Sequence, residues 1–205
     1  GGHHHHLDVG RDRRERLEQF EAAHLRHHQV GHHHVHAVQA HLIERRAAAV
    51  ELLETHRTFL DVTDADLLER LLRESRTWAL VDSLAASVVG PLSDGDPAWG
   101  PVLDRWAADQ DFWIRRSALL AHLIPLRTGG GDWARFTRYA DAMLEEKEFF
   151  IRKAIGWILR DTARRRPELV FAWLPPRASR ASGVTIREAV KYLAPEQREA
   201  VLAAR

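Results

Sequence analysis

The chain has 205 residues, 45% of them hydrophobic and 29% charged, a composition that suits one globular domain with a real core and room for an extension. Its formal net charge is +1, so any basic surface must come from local placement and not from the field of the whole protein. The absence of cysteine excludes a thiol nucleophile, a disulfide framework and a zinc–thiolate site; no apolar run reaches the roughly 18–20 residues that span a bilayer, and the N-terminus lacks the apolar segment of a signal peptide.

The first 41 residues differ from the rest and hold 12 of the 14 histidines. Gly1–His6 (GGHHHH) reads as a tag remnant or a low-complexity start. His24, His28, His32 and His36 lie four apart, which would stack them on one helical face, and neutral imidazoles at that spacing can chelate Zn²⁺, Ni²⁺ or Cu²⁺. Gly31 interrupts the segment, however, and no carboxylate stands between a close histidine pair as in HExxH. The expectation is a polar, partly helical extension over 1–41, tag-derived or disordered, without a metal site and dispensable for catalysis. A metal-binding protein built on the histidine tract is the weakest of the functional classes considered.

A repeat begins at Ile43. The segments IERRAAAVELL from Ile43, WALVDSLAASV from Trp78, WIRRSALLAHL from Trp113, FIRKAIGWILR from Phe150 and TIREAVKYLAP from Thr185 start at intervals of 35, 35, 37 and 35 residues. Arginine stands two places in at Arg45, Arg115, Arg152 and Arg187, and a small residue four places in at Ala47, Ser117, Ala154 and Ala189. Such a period means stacked helical pairs. Partner helices are predicted at Asp64–Glu74, opening on an acidic cap; at Trp99–Ala108, behind Asp96 and Pro97; at Trp133–Glu146, behind Asp132 and a Gly129–Gly131 linker; and behind Pro167 and Pro195. No alternating run is long enough for a strand. The expected fold over 42–205 is an all-α, HEAT-like helical-repeat solenoid. Tetratricopeptide-type packing is the competitor, but its tryptophan–glycine–tyrosine signature is missing.

Aligning the repeats separates two faces. Positions one, five and eight after each start are mainly apolar (Ala79, Ser83, Ala86; Ile114, Ala118, Ala121; Ile151, Ile155, Ile158; Ile186, Val190, Leu193) and are expected between helices. The start with positions three, four and seven forms the second face. It reads Trp78, Val81, Asp82, Ala85; then Trp113, Arg116, Ser117, Leu120; then Phe150, Lys153, Ala154, Trp157. Equivalent helices of a solenoid line one concave wall, so Trp78, Asp82, Arg116 and Trp157 are expected in one groove. Asp82 breaks the pattern, a carboxylate where four repeats have Ala or Ser. A lone helical Asp is ordinarily a solvated or ion-paired residue, and a lone Trp is ordinarily core; their coincidence on one face points to a site. Arg46, Arg116 and Lys153 form a cationic ladder there, suited to phosphate.

The segments TWALVDSLA (Thr77–Ala85), DFWIRRSALL (Asp111–Leu120) and EFFIRKAIGWILR (Glu148–Arg160) resemble successive signatures of the AlkD-type DNA alkylation repair glycosylases, over roughly 44–194. The resemblance implies a HEAT-like solenoid with a concave DNA-binding groove that removes positively charged alkylated purines, such as 3-methyladenine and 7-methylguanine, from double-stranded DNA. It implies that Trp78 and Trp157 contact the sugar of the damaged nucleotide, that Asp82 is the catalytic carboxylate, and that Arg116 lies near the DNA backbone; Lys153, Arg46 and Trp113 are expected to bind DNA from the same face. It also implies that the lesion need not enter a deep base pocket, unlike most glycosylases.

The residue types fit that chemistry. An N3- or N7-alkylpurine is already cationic and leaves with little acid help, while positive charge builds on the deoxyribose, where a fixed carboxylate and indole faces stabilise it. No cofactor or metal is needed, and the Gly129–Gly131 loop lacks the Lys-Ser/Thr of a phosphate loop. The expected protein is a monomer, soluble and cytoplasmic, nucleoid-associated when bound to DNA. The alternative is a non-catalytic helical-repeat protein that binds DNA structures or a protein partner. Asp82 discriminates the two, because a scaffold has little need of a carboxylate between tryptophans.

Overall fold

The computed structural model describes residues 33–205, with side chains from Ile43 onward. All regular structure among the described residues is helical, without a strand, and none of these helices is long and apolar enough to cross a membrane. The chain divides into two compact units, Gly1–Arg45 and Arg46–Arg205. His24, His28 and His32 lie outside the described residues, as does the side chain of His36; among the described residues no group of three or more His, Asp or Glu is arranged to hold a metal.

Helices α1 (His33–Thr55), α2 (Ala65–Ser75), α3 (Trp78–Ser83), α4 (Gly90–Ser93), α5 (Gly100–Ala107) and α6 (Phe112–Leu120) are followed by α7 (Leu123–Thr128), α8 (Trp133–Met143), α9 (Phe149–Ala163), α10 (Pro167–Trp173), α11 (Gly183–Ala189) and α12 (Pro195–Ala203). The repeat starts at Trp78, Trp113, Phe150 and Thr185 therefore fall within two residues of helix starts, whereas the one at Ile43 falls inside α1; the partner helices are α2, α5, α8, α10 and α12. The caps act as their chemistry predicts: Asp96 accepts from Ala98 N–H, Asp132 from Arg135 N–H, and Glu148 from Phe150 N–H. One cap differs from expectation. Asp64 makes no side-chain cap for α2; Asp61 forms a reciprocal box with Asp64 around the short turn Val62–Asp64 that leads into it.

Two of the inner helices bend, which the periodicity did not predict. After α3 the chain runs through a π-helical turn, Leu84–Val89, into α4 with Pro91 in its first turn. α6 likewise breaks at Ala121–His122 before α7, which contains Pro125. A proline gives no N–H to the carbonyl four residues back, so the Ala121 carbonyl loses its helical partner. That carbonyl is where Gly90 packs: a Cβ on Gly90 would lie 2.7 Å from the Ala121 oxygen.

α9 is the central helix and packs against α6, α7, α10 and α11. Ile151, Ile155 and Ile158 are fully buried, as are Ile114, Ala118 and Ile186, so the first face is an interhelical face as predicted. α11 approaches α9 at Gly156, where a Cβ would lie 2.9 Å from Glu188 Cβ and 3.1 Å from both the Thr185 Cα and its carbonyl oxygen. Ion pairs repeat the spacing of the helices. Arg73–Asp109, Arg105–Glu69, Arg127–Asp161 and Arg177–Asp141 join residues 36, 36, 34 and 36 apart. Each thus ties one repeat to the next.

The approach at Gly156 makes a specific prediction. In an open helix Gly→Ala stabilises by about 1 kcal/mol, but here the new methyl meets backbone, so overpacking should dominate and Gly156→Ala should destabilise by about 1–3 kcal/mol. Urea or thermal denaturation checks this, and a gain in stability would mean that α11 is free to move away.

Candidate functional site

The site is built from residues of α3, α6 and α9. Arg76 adopts a left-handed conformation, φ 46°, ending α2; an extended Thr77 then starts α3 at Trp78. Trp78 is half-buried, and Asp82 lies one turn further on. The Asp82 side chain is 12% exposed and faces Arg116 of the next repeat, whose side chain is 3% exposed. Arg116 Nε donates to Asp82 Oδ1 at 2.7 Å and Nη2 donates to Oδ2 at 2.7 Å, the parallel fork that a guanidinium forms and an ammonium cannot. Its Nη1 donates to the Phe150 carbonyl oxygen at the start of α9. One guanidinium therefore joins three consecutive repeats.

Electrostatically the pair is poised. Burial pushes the Asp82 carboxyl above its ordinary range, and the hydrogen bonds and charge of Arg116 pull it back only in part. The fork uses about two of the roughly four lone-pair sites of a carboxylate, leaving acceptor capacity for a water or a developing cation.

Around this pair stand aromatic rings. Phe112, Trp113 and Phe150 cluster with centroid separations of 4.6, 4.9 and 6.3 Å, and Phe149 meets Phe150 edge-on at 5.6 Å. The Arg116 guanidinium lies 5.7 Å from the Phe150 ring centre. Phe149 is exposed, while Trp113 and Trp157 are half-buried against the core. Trp157 follows Phe150 by seven residues, about 10 Å of helix rise on nearly the same face. Its indole N–H donates to Asp161 Oδ2 at 3.2 Å.

The cations are mostly engaged. Arg116, expected beside the DNA backbone, is instead turned inward onto Asp82. Lys153 Nζ lies 3.1 Å from Glu188 Oε1, and Glu188 also takes Lys191 at 3.0 Å and Arg160. Burial alone would raise the Glu188 carboxyl, but hydrogen bonds from Lys191 and Lys153 and the charges of Lys153 and Arg160 outweigh it and hold it at about 2. Arg46 is exposed, and its Nη1 donates to the Glu74 carbonyl at 3.1 Å. The second face is also less open than its pattern predicts: Val81, Ala85, Ser117, Leu120 and Ala154 are buried, because neighbouring inner helices pack on that side too.

Asp82 and Arg116 are thus brought into contact, with Trp78 one turn before Asp82. Lys153 and Trp157 share α9 with the Phe150 carbonyl that Arg116 reaches; Arg46 is not among the groups in contact with the pair. Sequence reasoning missed Asp161 and Glu188, the buried carboxylates that hold Trp157 and Lys153. The four-residue step from Trp157 to Asp161 was a legible signal for the first, and the 35-residue step from Lys153 to Glu188 was one for the second.

The fold and site define an all-α repeat protein with a buried carboxylate–guanidinium pair beside an aromatic cluster. The family model described as DNA alkylation repair enzyme matches residues 11–193, and the chain belongs to that family. The match starts inside the histidine-rich stretch and so extends N-terminal to the repeat that begins at Ile43. Comparison with curated proteins gives no match.

Removing one partner of the buried pair should cost far more than removing both. Asp82→Leu or Arg116→Met alone is expected to lose about 3–5 kcal/mol, and the double variant to recover most of that loss. Chemical denaturation of the four proteins measures the coupling; additive losses would mean that the pair is not formed in solution.

Proposed function

We propose that the protein is a monofunctional DNA glycosylase that hydrolyses the N-glycosidic bond of positively charged alkylated purines, of the 3-methyladenine and 7-methylguanine type, in double-stranded DNA. The observation that carries the reading is the Asp82 carboxylate, oriented by Arg116 and one turn from Trp78, in a chain of the DNA alkylation repair family.

The chemistry runs as follows. The C1′–N9 bond breaks with its electron pair passing to the purine, which neutralises the positive charge already on that ring. Cationic charge moves to C1′ and the ring oxygen of the sugar. Asp82 faces that charge, and the indoles of Trp78 and Trp157 offer their electron-rich faces to it. Water then adds at C1′ and releases its proton to solvent, Asp82 orienting the attack. DNA enters along the wall formed by α3, α6 and α9, taken as the concave side, with Lys153, Arg46 and Trp113 toward the backbone.

The magnitudes favour a modest but sufficient effect. A carboxylate about 4 Å from the developing cation stabilises it by about 4 kcal/mol at an effective dielectric of 20, and a guanidinium about 8 Å away opposes this by about 2 kcal/mol. The difference corresponds to roughly thirtyfold in rate. Arg116 is therefore a positioning residue whose charge works against the reaction while its fork fixes Asp82. A leaving group that carries its own positive charge needs no larger contribution, which is why the reading is confined to cationic lesions.

One observation favours a second reading, a non-catalytic helical-repeat protein binding DNA structures or a protein partner: the same burial and ion pairing of Asp82 would serve a purely structural contact. Incubation of the purified protein with methylated duplex DNA separates the two. The proposal predicts free 7-methylguanine or 3-methyladenine; DNA binding without base release selects the second reading. The pH profile adds a sign. Asp82 must be ionised, and its pKa in the fold lies above the ordinary value of about 3.9. The excision rate should therefore fall through one ionisation as pH drops, at a pH above the ordinary aspartate range, and that limb should be missing in Asp82→Asn. Stability has the opposite slope. A carboxyl whose folded pKa is raised contributes fully below the unfolded pKa, and that contribution is lost as pH rises through the folded one.

A further inference from the structure

Asp161 sits at the end of the Trp157 turn, is 4% exposed, and belongs to none of the repeat motifs. Four donors converge on it. Trp157 Nε1 donates to Oδ2 at 3.2 Å, and Arg127 reaches the same oxygen from the preceding repeat with Nε at 2.8 Å and Nη2 at 2.6 Å. Arg160 Nε donates to Oδ1 at 3.2 Å. The carboxylate is thus held from two repeats, and the group it holds in turn is an indole.

We propose that Asp161 is a positioning residue for excision, acting through Trp157. The proposal rests on the glycosylase reading above. An indole has one polar atom, its N–H, and binding that atom fixes the rotation of the ring about its Cβ–Cγ bond, which packing alone fixes less well for a half-buried side chain. The face offered to the sugar is then set before DNA arrives. An anionic acceptor on the N–H also polarises the ring and makes its face more attractive to a cation. Arg127 and Arg160 hold Asp161 in place, so the orientation of Trp157 derives from the ion-pair ladder between repeats.

Asp161 differs from Asp82 in what a variant should do. Asp161→Asn keeps an oxygen acceptor for the indole, whereas Asp161→Leu keeps the volume and removes the acceptor. Single-turnover excision of 7-methylguanine from methylated duplex DNA is measured for wild type, both variants, Trp157→Phe, and Asp161→Leu combined with Trp157→Phe. The Trp157 indole N–H resonance is followed by NMR in the variants that keep it. The expected result is an excision rate about tenfold lower for Asp161→Leu and within about threefold of wild type for Asp161→Asn. The indole resonance should shift strongly in the Leu variant only, with DNA affinity nearly unchanged. In the Trp157→Phe background the Leu substitution should add nothing further. If Asp161→Leu does not fold, the Asn variant and its indole resonance carry the test, and an indole resonance lost or shifted as in free tryptophan overturns the proposal. Equal rates for Asp161→Leu and wild type, or an undiminished effect in the Trp157→Phe background, also overturn it. Wild-type protein that releases no base sinks the glycosylase reading itself, a failure distinct from these.

Discussion

The contact on which the rest of the site depends is the fork between Arg116 and Asp82, closed on its third side by the Phe150 carbonyl. It lies where three helices of successive repeats meet, and all the polar groups are largely removed from water. Taking a carboxylate and a guanidinium out of water costs several kcal/mol each, and their attraction repays this only when geometry is good and the remaining donors are satisfied. The third hydrogen bond to Phe150 satisfies a further Arg116 donor, though burial still outweighs Arg116 at the Asp82 carboxyl. Stability alone does not call for such a pair, since apolar side chains of similar volume would serve as well. What the pair supplies beyond packing is a carboxylate fixed in place one turn from Trp78.

The same logic extends along the chain. Charged residues make up 29% of the sequence, yet the net charge is +1, and the ladder of pairs between repeats accounts for much of this balance. Stacked helical hairpins have few long-range contacts other than those with their neighbours, so ion pairs one repeat apart help set how each hairpin sits on the next. Individually, exposed pairs contribute little. Where one partner is buried, as with Asp161 and Glu188, the carboxylate also holds a side chain of α9, Trp157 or Lys153. The cations that remain partly open, Lys153, Lys191 and Arg127, are 42–49% exposed. On the glycosylase reading proposed above, they are the cations available to a phosphate backbone, held in place by their carboxylates.

Much of the fold was legible in the sequence because its signals are local. Trp78, Trp113, Phe150 and Thr185 mark helix starts through spacing, and Asp96 and Asp132 cap helices by side-chain chemistry that acts within three residues. The cap at Asp61 was missed because Asp64 satisfies the same local pattern one turn later. The bends at Leu84–Val89 and Ala121–His122 were missed because they depend on Pro91 and Pro125 meeting a particular packing partner at Gly90. In the candidate site, Asp82 was legible as the carboxylate that breaks a column of small residues. The inward turn of Arg116 was not, since an arginine column on a helix face reads equally well as a phosphate ladder and as an internal tie. Asp161 escaped because a carboxylate near a helix end ordinarily faces water; its four-residue step from Trp157 was legible, but its meeting with Arg127 of the preceding repeat shows only in three dimensions.

The central claim is that Asp82 acts on the reaction and not only on the fold, and the most direct measurement is the single-turnover excision rate of Asp82→Asn per folded molecule, taken at a temperature where a melt shows the variant native. The account predicts a rate lower by roughly thirtyfold, within a range of about ten- to a thousandfold, with binding to methylated DNA little changed. A natively folded Asp82→Asn that excises 7-methylguanine at the wild-type rate would contradict it, and would leave the buried pair as a structural tie between repeats.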